Sequence, residues 1–347
     1  MQIECWSIQG NTFHFGQHGI GQEETAVTLP SDSLFAAMVA RLARSQGAQA
    51  VEEFCRPFYE GDPPFVLSST FLRVGNVRFF PVPLSAKRGA NASEVDAKNL
   101  KKIEFVSEQF FKQLISHTAL DVLYSSGRFL QNGKLMLSAD EFNTLPSSIK
   151  SGENIWEVTQ RPRVTIDRNT SASAIFFTGG VTFAQECGLW FGVRWLKDDA
   201  ALKAVLANLI ADLADAGLGA ERSTGMGAAV ITKMTTPLEL PDPNTAWVSI
   251  SRYLPRADET NSLGEKGSAY ALKAVGGWLD SPAKSGQRRR MVNLLVEGAV
   301  IGAMPIRTAP GQMVDVRPIY EKDTDPIGHP VYRNGFALAV GMTGGGA

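Results

Sequence analysis

The chain has 347 residues, of which 44% are hydrophobic and 20% are charged, as in an ordinary folded globular protein. Its 34 Lys and Arg residues nearly balance its 35 Asp and Glu residues, which gives a formal net charge of −1. This balance argues against a free-standing nucleic-acid binder, because such a protein is expected to carry a basic domain. Any nucleic-acid site must therefore come from local clusters of basic residues.

The cysteines predict a reduced, cytoplasmic protein. Cys5, Cys55 and Cys187 are odd in number, far apart and without a C-x-x-C spacing, so we expect core thiols rather than disulfides. The N-terminal sequence lacks the features of a signal peptide, and no apolar run approaches the roughly 20 residues of a membrane span. The four histidines are scattered along the chain. We therefore expect no membrane partner, no metal site and no cofactor.

The N-terminal elements are predicted by apolar periodicity. Residues 2–8 read as a strand, and a glycine-bearing loop, GNTFHFGQHGIGQ, follows it. LPSDSLFAAMVARLARSQ predicts a helix that is capped by Ser31 or Asp32 and has one apolar face. FVLSSTF and VRFFPVPL, on either side of a glycine turn, predict a β-hairpin.

Residues 85–160 show little periodicity, because polar, glycine-bearing and turn-rich stretches follow one another there. A long insertion of this kind is more often functional or disordered than structural filler.

Regular patterns return after residue 160 and complete a recognisable order. RPRVTIDRNT and VTFAQECGLWFGVRW predict strands, DDAALKAVLANLIADLADA predicts a helix, and AAVITKM predicts another strand. The order of strands and helices is that of a β-α-β-β-α-β unit, the ferredoxin-like arrangement of the α+β class. A proline-rich junction, TPLELPDPNT, precedes mainly β-like segments. We therefore predict a first domain over 1–240, with an insertion at about 85–175, and a β-rich second domain over 241–347.

The stretch GLGAERSTGMGAAVI combines backbone freedom with polar side chains, since Gly217, Gly219, Gly225 and Gly227 surround Arg222, Ser223 and Thr224. Phosphate-binding loops of mononucleotide sites precede a helix, whereas this segment follows one, so a site of that kind is not expected. Two interpretations remain open. The segment is either a bulged turn after a left-handed helix cap, or a surface whose amides lie along a polynucleotide backbone.

The pattern helix–GxGxxxSTGxG–strand resembles the glycine-rich loop of the RAMP superfamily of CRISPR RNA-binding proteins. Five further segments narrow the resemblance to the subunit that caps the guide-RNA 5′ end in type III-A (Csm) interference complexes. They are FHFG, PSDSLFAAM, VTIDRNT, VDVRPIY and HPVYRNGFALAV.

This resemblance implies two ferredoxin-like, RRM-related domains, a glycine-rich loop and an inserted β-hairpin thumb, in a cytoplasmic ribonucleoprotein of antiviral defence. It implies a non-catalytic subunit that anchors the repeat-derived 5′ tag of the crRNA and bridges two kinds of partner. These partners are a large multidomain polymerase/nuclease-type subunit and a backbone RAMP subunit.

The resemblance also implies which residues meet RNA. In the glycine loop they are Gly217, Gly219, Arg222, Ser223, Thr224, Gly225, Met226 and Gly227. Ser31 stands at the start of the first helix, whose amides favour a phosphate, although Asp32 beside it would repel one.

Three arginines of RPRVTIDRNT, Arg161, Arg163 and Arg168, can grip phosphates or stack on bases, or else form a salt-bridged strand. Arg288 belongs to the basic run KSGQRRR, which faces either RNA or an acidic neighbour. Trp190, Phe191 and Trp195 do not match an RNA-stacking motif, so we predict that they pack in the core.

The competing enzyme hypothesis is a metal-independent RAMP endoribonuclease that processes guide RNA. His14 and His18 are its candidates for the general acid and base, since both lie near the first glycine loop.

Overall fold

The computed structural model describes residues 1–16, 24–86, 94–279, 286–319 and 327–342. These residues form a mixed α+β fold. The helices within the described ranges are α1 (Ser31–Tyr59), α2 (Glu94–Lys102), α3 (Glu108–Ile115), α4 (Leu120–Ser126), α5 (Ala139–Asn143), α6 (Ser147–Lys150) and α7 (Ala200–Ala216).

The strands as far as residue 195 are β1 (Gln2–Gln9), β2 (Thr12–Phe13), β3 (Phe15–Gly16), β4 (Thr25–Ala26), β5 (Phe65–Leu67), β6 (Phe71–Val74), β7 (Val77–Pro81), β8 (Phe105–Ser107), β9 (Arg128–Leu130), β10 (Leu135–Leu137), β11 (Trp156–Ile166), β12 (Ser173–Phe183) and β13 (Cys187–Trp195). Those that follow are β14 (Val230–Lys233), β15 (Leu238–Glu239), β16 (Trp247–Ser249), β17 (Leu272–Val275), β18 (Val292–Leu295), β19 (Val300–Ile301), β20 (Met313–Asp315), β21 (Tyr332–Asn334) and β22 (Ala339–Gly341).

A large sheet forms the centre of the molecule. Its middle strands run in the order β14–β1–β13–β6, and each neighbouring pair is antiparallel. Helix α1 follows β1 and helix α7 follows β13, as the sequence predicts. The two helices contact each other, and the guanidinium of Arg41 on α1 donates to both carboxylate oxygens of Asp212 on α7, at 2.8 and 2.7 Å. The crossover helices thus lie side by side.

The weakly patterned stretch at residues 85–160 is folded over most of its described part. The stretch forms α2 to α6, and its strands β8, β10 and β9 extend the large sheet beyond β7. Phe111, Leu135 and Met136 are fully buried in the core. The elements are only three to nine residues long, so none of them is long enough to show clear periodicity in the sequence.

Strands β11 and β12 form a long hairpin of 11 residues on each side, paired from Trp156–Phe183 at its base to Ile166–Ser173 near its tip. Most side chains of β11 are exposed. At the tip, the Asp167 carboxylate accepts hydrogen bonds from the amides of Thr170 and Asn169, which lower the pKa of this carboxyl group. The hairpin is therefore a paired ribbon with a closed turn and little packing of its own.

Some of the C-terminal strands share the apolar core of the N-terminal ones, while Trp247, Tyr253 and Leu295 lie in a separate buried cluster. Val248, Leu338 and Val340 belong to the same buried cluster as Phe35 and Phe58 of α1. Backbone bonds also cross between the two parts, since the amide of Ser69 donates to the carbonyl of Ile250 at 3.0 Å, and that of Leu84 to Gly298 at 2.8 Å. Part of the core and several backbone hydrogen bonds thus join the two halves of the chain.

The aromatic and cysteine predictions are confirmed. Trp190 and Phe191 are fully buried, and Trp195 is half-buried against the core. The three cysteines are buried free thiols. Burial raises the pKa of Cys5 to about 11 and those of Cys55 and Cys187 to about 12.

Among the described residues, no helix has both the length and the apolar character needed to cross a bilayer.

Candidate nucleic-acid interface

Helix α1 begins differently from the prediction. Its N-cap is Pro30, and neither Ser31 nor Asp32 caps it. The buried Ser31 hydroxyl accepts a hydrogen bond from the amide of Arg252 at 2.9 Å, while the Ser31 amide donates to the hydroxyl of Ser69 at 2.9 Å. Both polar groups of Ser31 are thus used inside the protein, so the structure does not favour its predicted contact with RNA.

A buried ion pair and a largely buried one lie next to the start of α1. Asp32 pairs with Arg333 at 2.5 Å, and Arg252 pairs with Glu297 at 3.0 Å. The hydroxyl of Ser69 also donates to Glu297 at 2.5 Å. Because Arg252, Glu297 and Arg333 come from the C-terminal part of the chain, these bonds tie the first helix to it.

Two glycines of the 217–227 segment have a packing role. Gly217 ends α7 at φ +80°, and a Cβ there would lie 2.9 Å from the carbonyl oxygen of Gly227. A Cβ on Gly227, at φ +87°, would lie 2.3 Å from the carbonyl oxygen of Leu218. Both glycines are buried, so the prediction that they line an RNA path is corrected to one of close backbone packing.

The other two glycines reach the surface. Gly219 has φ +87° and is half-buried, and a Cβ there would lie 2.4 Å from the carbonyl oxygen of His14, which accepts the amide of Ala220 at 2.9 Å. Gly225 has φ +92° and is exposed, with no atom within 4 Å of its Cβ position. Only these two glycines therefore present backbone to a ligand.

Between the glycines, the exposed side chains sit in a short 3-10 turn, Arg222–Thr224. Met226 is only 4% exposed, and its side chain lies against Gly180 of β12. The structure therefore corrects the predicted role of Met226 from RNA contact to packing, while Arg222, Ser223 and Thr224 remain accessible.

Arg163 on β11 is bound to the same turn. Its guanidinium donates to the hydroxyl of Thr224 at 2.8 Å and pairs with Glu221 at 3.1 Å. The alternative of a salt-bridged strand thus fits Arg163 in this structure. Arg161 is exposed in the middle of β11, and Arg168 is exposed in the turn beyond the strand.

His14 joins the first loop to the base of the long hairpin. The side chain is 3% exposed, and its Nδ1 lies 2.7 Å from the carbonyl oxygen of Gly179. Because a carbonyl oxygen only accepts, Nδ1 carries the hydrogen. His18 and Lys284 lie outside the described residues.

A cleft of about 620 Å³ brings several predicted segments together. Its walls include the loop at 14–16, the start of α1, the residues Gly219 and Ala220, strand β17, and residues 276–278, 288, 289 and 291 of the connection to β18. The charged side chains that line it are Asp32, Glu297, Arg252, Lys273, Arg288, Arg289 and Arg333. Among the described lining residues, five are basic and two are acidic, an excess of positive charge that the net charge of the chain does not show.

Sequence reasoning found only part of this cleft. Gly219 and Arg288 were predicted and line it, whereas Lys273 and Trp278 were not singled out. The signal was present in the sequence as GGW followed by the basic run. An antiparallel bridge pairs Trp278 with Arg288 and so brings the tryptophan next to the basic run.

Among the described residues, no group of three or more His, Cys, Asp or Glu side chains has an arrangement that would hold a metal ion.

Residues 242–342 match the family model of the CRISPR Csm4 C-terminal domain. Along more of its length, the chain is 24% identical to the CRISPR system Cms protein Csm4 of Thermococcus onnurineus over 324 residues, which is 90% of this chain and 91% of the relative. The Csm4 protein of Mycobacterium tuberculosis is also 24% identical, over 307 residues that cover 87% of this chain and 88% of the relative. The predicted resemblance to a Csm-type RAMP subunit is confirmed.

Solved structures share the fold over nearly the whole chain. A chain in the crystal structure of the Csm3–Csm4 subcomplex of the type III-A CRISPR-Cas interference complex matches with a TM-score of 0.64 at 16% identity, and covers 98% of this chain and 99% of that one. A chain in a crystal structure of the Csm1–Csm4 cassette with cA4 matches with a TM-score of 0.56 at 19% identity, and covers 99% and 98%. The mixed α+β fold described above is thus one found in Csm assemblies.

Proposed function

We propose that the chain is a non-catalytic RNA-binding subunit that anchors the repeat-derived 5′ tag of the guide RNA in a type III-A CRISPR effector. The observation that carries the proposal is the basic cleft. Asp32 and Glu297 are neutralised by buried arginines, so Lys273 and Arg288 add positive charge to the described lining of the cleft. A cleft lined by one sign of charge attracts a polyanion.

The mechanism of anchoring is the positioning of a backbone. Charge-assisted hydrogen bonds from arginine to phosphate are roughly twice as strong as neutral ones, and they fix register without reading sequence. Gly219 and Ala220 line the cleft, and the chain runs from them through Glu221 into the exposed turn at Arg222–Thr224. A strand that leaves the cleft along this segment meets the Arg222 side chain and the open backbone of Gly225.

Two partners are part of the proposal, a large multidomain subunit and a backbone RAMP subunit, between which this chain forms the bridge. The support is the likeness over nearly the whole chain to solved structures of Csm1–Csm4 and Csm3–Csm4 assemblies. We also propose that the chain consists of two ferredoxin-like domains with a boundary near residue 240. The sheet order β14–β1–β13–β6 supports this for the first domain.

The hairpin β11–β12 is our candidate for the thumb. One face carries exposed apolar side chains, because Val164 is paired with Ile175 and Pro162 with Phe177. The opposite face carries Arg161 and the bound Arg163. A ribbon with one apolar and one basic face suits a contact with both bases and backbone.

The test removes one cation from each side of the proposed path, in Arg222→Ala combined with Arg288→Ala. In the reconstituted complex we expect the guide tag to lose its protection from nuclease. The slope of log affinity against log salt should fall by about 1.4, at about 0.7 for each lost contact to a single strand. The matched control is Lys101→Ala with Lys102→Ala, since both lysines are exposed on α2 and neither lines the cleft.

Unchanged tag protection and salt dependence in the arginine variant would contradict the proposal. Site-specific cleavage of repeat RNA by the purified chain in EDTA would instead favour the metal-independent ribonuclease.

A further inference from the structure

One wall of the cleft carries an aromatic side chain next to an arginine. Strands β17 and β18 continue into a bridge between Trp278 and Arg288, where the amide of Leu279 donates to the carbonyl of Gln287 at 2.8 Å. Directly opposite residues of an antiparallel pair project to the same face. The Arg288 guanidinium accordingly lies over the Trp278 ring, 4.7 Å from its centroid.

The Trp278 side chain remains 51% exposed inside this cleft. Large aromatic side chains normally bury most of their area, and exposed ones are enriched where a partner covers them. Gly277 precedes the tryptophan, and no atom lies within 4 Å of its Cβ position. Met291, also exposed, extends the apolar surface. The wall therefore offers a planar apolar face within a positively charged site.

The segment that carries Trp278 is held in place by the buried charges at the start of α1. Arg333 donates to the carbonyl of Gly276 at 3.1 Å through one nitrogen and pairs with Asp32 through another. Arg333 and Asp32 are both buried and both line the cleft. Because this bond fixes the backbone two residues before Trp278, little conformational freedom remains to be lost when a ligand stacks there.

We propose that Trp278 stacks one base of the guide-RNA strand, while Lys273 and Arg288 bind the adjoining phosphates. This inference rests on the proposed function and deepens it by assigning a base-binding position. Aromatic rings within a positively charged groove are the combination that holds single-stranded nucleic acid. The volume of about 620 Å³ lies within the range of small-molecule sites, which suits a single nucleotide rather than a duplex. The positive surplus favours a polyanion over an apolar peptide.

Stacking on a ring tolerates every base, because each base has a π-face. The site is therefore expected to fix the position of one nucleotide without selecting its identity.

The experiment places 2-aminopurine at each tag position of the guide RNA in turn, in the reconstituted complex. Stacking quenches the fluorescence of this base, so we expect one quenched position in the unmodified protein and in Trp278→Phe, which keeps a planar ring. In Trp278→Leu the fluorescence at that position should rise, and tag affinity should fall roughly 5-fold or more, as when one base–aromatic stack is lost. Tyr59→Leu is the matched control, because Tyr59 is an exposed aromatic residue that does not line the cleft.

An unchanged fluorescence profile and tag affinity in Trp278→Leu would overturn the base-stacking inference and leave the proposed function standing. Failure of the unmodified complex to protect the tag would instead remove the proposed function itself. Displacement of the tag from the cleft by free ATP at equal concentration would also overturn the inference, since it would indicate a mononucleotide site.

Discussion

At the scale of single residues, the strongest constraint is the ion pair between Asp32 and Arg333. The two side chains are 1% and 4% exposed and lie 301 positions apart in the chain. Removing one partner of such a pair leaves an uncompensated buried charge, whereas replacing both by apolar residues is often neutral. The pair therefore fixes the position of α1 relative to the C-terminal strands, and it need not add net stability.

This reasoning predicts that Arg333→Leu lowers the free energy of unfolding by about 3–5 kcal/mol. The measurement is equilibrium unfolding in urea, followed by tryptophan fluorescence. The double variant Asp32→Leu with Arg333→Leu should recover most of the loss, because no buried charge is then left alone. If the double variant were as unstable as the single one, the cost would come from lost packing or from the bond to Gly276, and not from the charge.

At the scale of the element, the 217–227 segment contains glycines that look alike in the sequence and differ in the structure. Gly219 and Gly225 both have left-handed φ values, of +87° and +92°. Only Gly219 has another chain segment against it, the carbonyl of His14. A side chain at Gly225 would therefore cost only the strain of a left-handed backbone, whereas one at Gly219 would also clash with a neighbouring segment.

We predict that Gly225→Ala costs only the strain of a left-handed alanine, about 1–2 kcal/mol in the free energy of unfolding. Gly219→Ala should lower the free energy of unfolding by more, because the alanine Cβ would lie 2.4 Å from the carbonyl oxygen of His14, which is too close for two non-bonded atoms. Urea unfolding of both variants measures the difference. Equal stability of the two variants would contradict the argument that Gly219 is required by packing.

The sequence predicts the local structure of the 217–227 segment well, but it does not predict which distant residues contact the segment. The order of helix, glycine segment and strand follows from local patterns, and so does the strand–helix order of the central sheet. The burial of Gly227 does not, because its amide donates to the carbonyl of Thr12, which lies more than 200 positions earlier. The pairing of Arg163 with Glu221 depends in the same way on the position of the hairpin β11–β12 next to the 217–227 segment. Contacts that join distant segments leave no periodic trace in the sequence.

At the scale of the whole molecule, the cleft is assembled from segments that range from His14 to Arg333. Several contributing segments are visible in the sequence as a glycine loop, a helix start or a basic run, whereas the strand that carries Lys273 is not. Their meeting at one place is not visible either, because it follows from a core that both halves of the chain share. The near-zero net charge and the basic cleft are compatible, because folding brings a few basic side chains from distant segments to one surface.

The shared core leads to a prediction about the halves themselves. Residues 242–342 match a family model as a unit, yet Val248, Leu338 and Val340 pack in the same cluster as the N-terminal core. We therefore expect the intact chain to unfold in one cooperative transition, with coincident midpoints by far-UV circular dichroism and tryptophan fluorescence. Trp190 and Trp247 are buried in the two halves and report on both.

The fragment 241–347 expressed alone should lack this transition and aggregate, because its share of the core becomes solvent-exposed. Expression of 1–240 and 241–347 as separate chains in one cell is the control, and should yield a complex that unfolds like the intact protein. A lone 241–347 fragment that melts sharply at the midpoint of the full chain would contradict this account, and would mean that the buried pairs at the start of α1 join two independently stable domains.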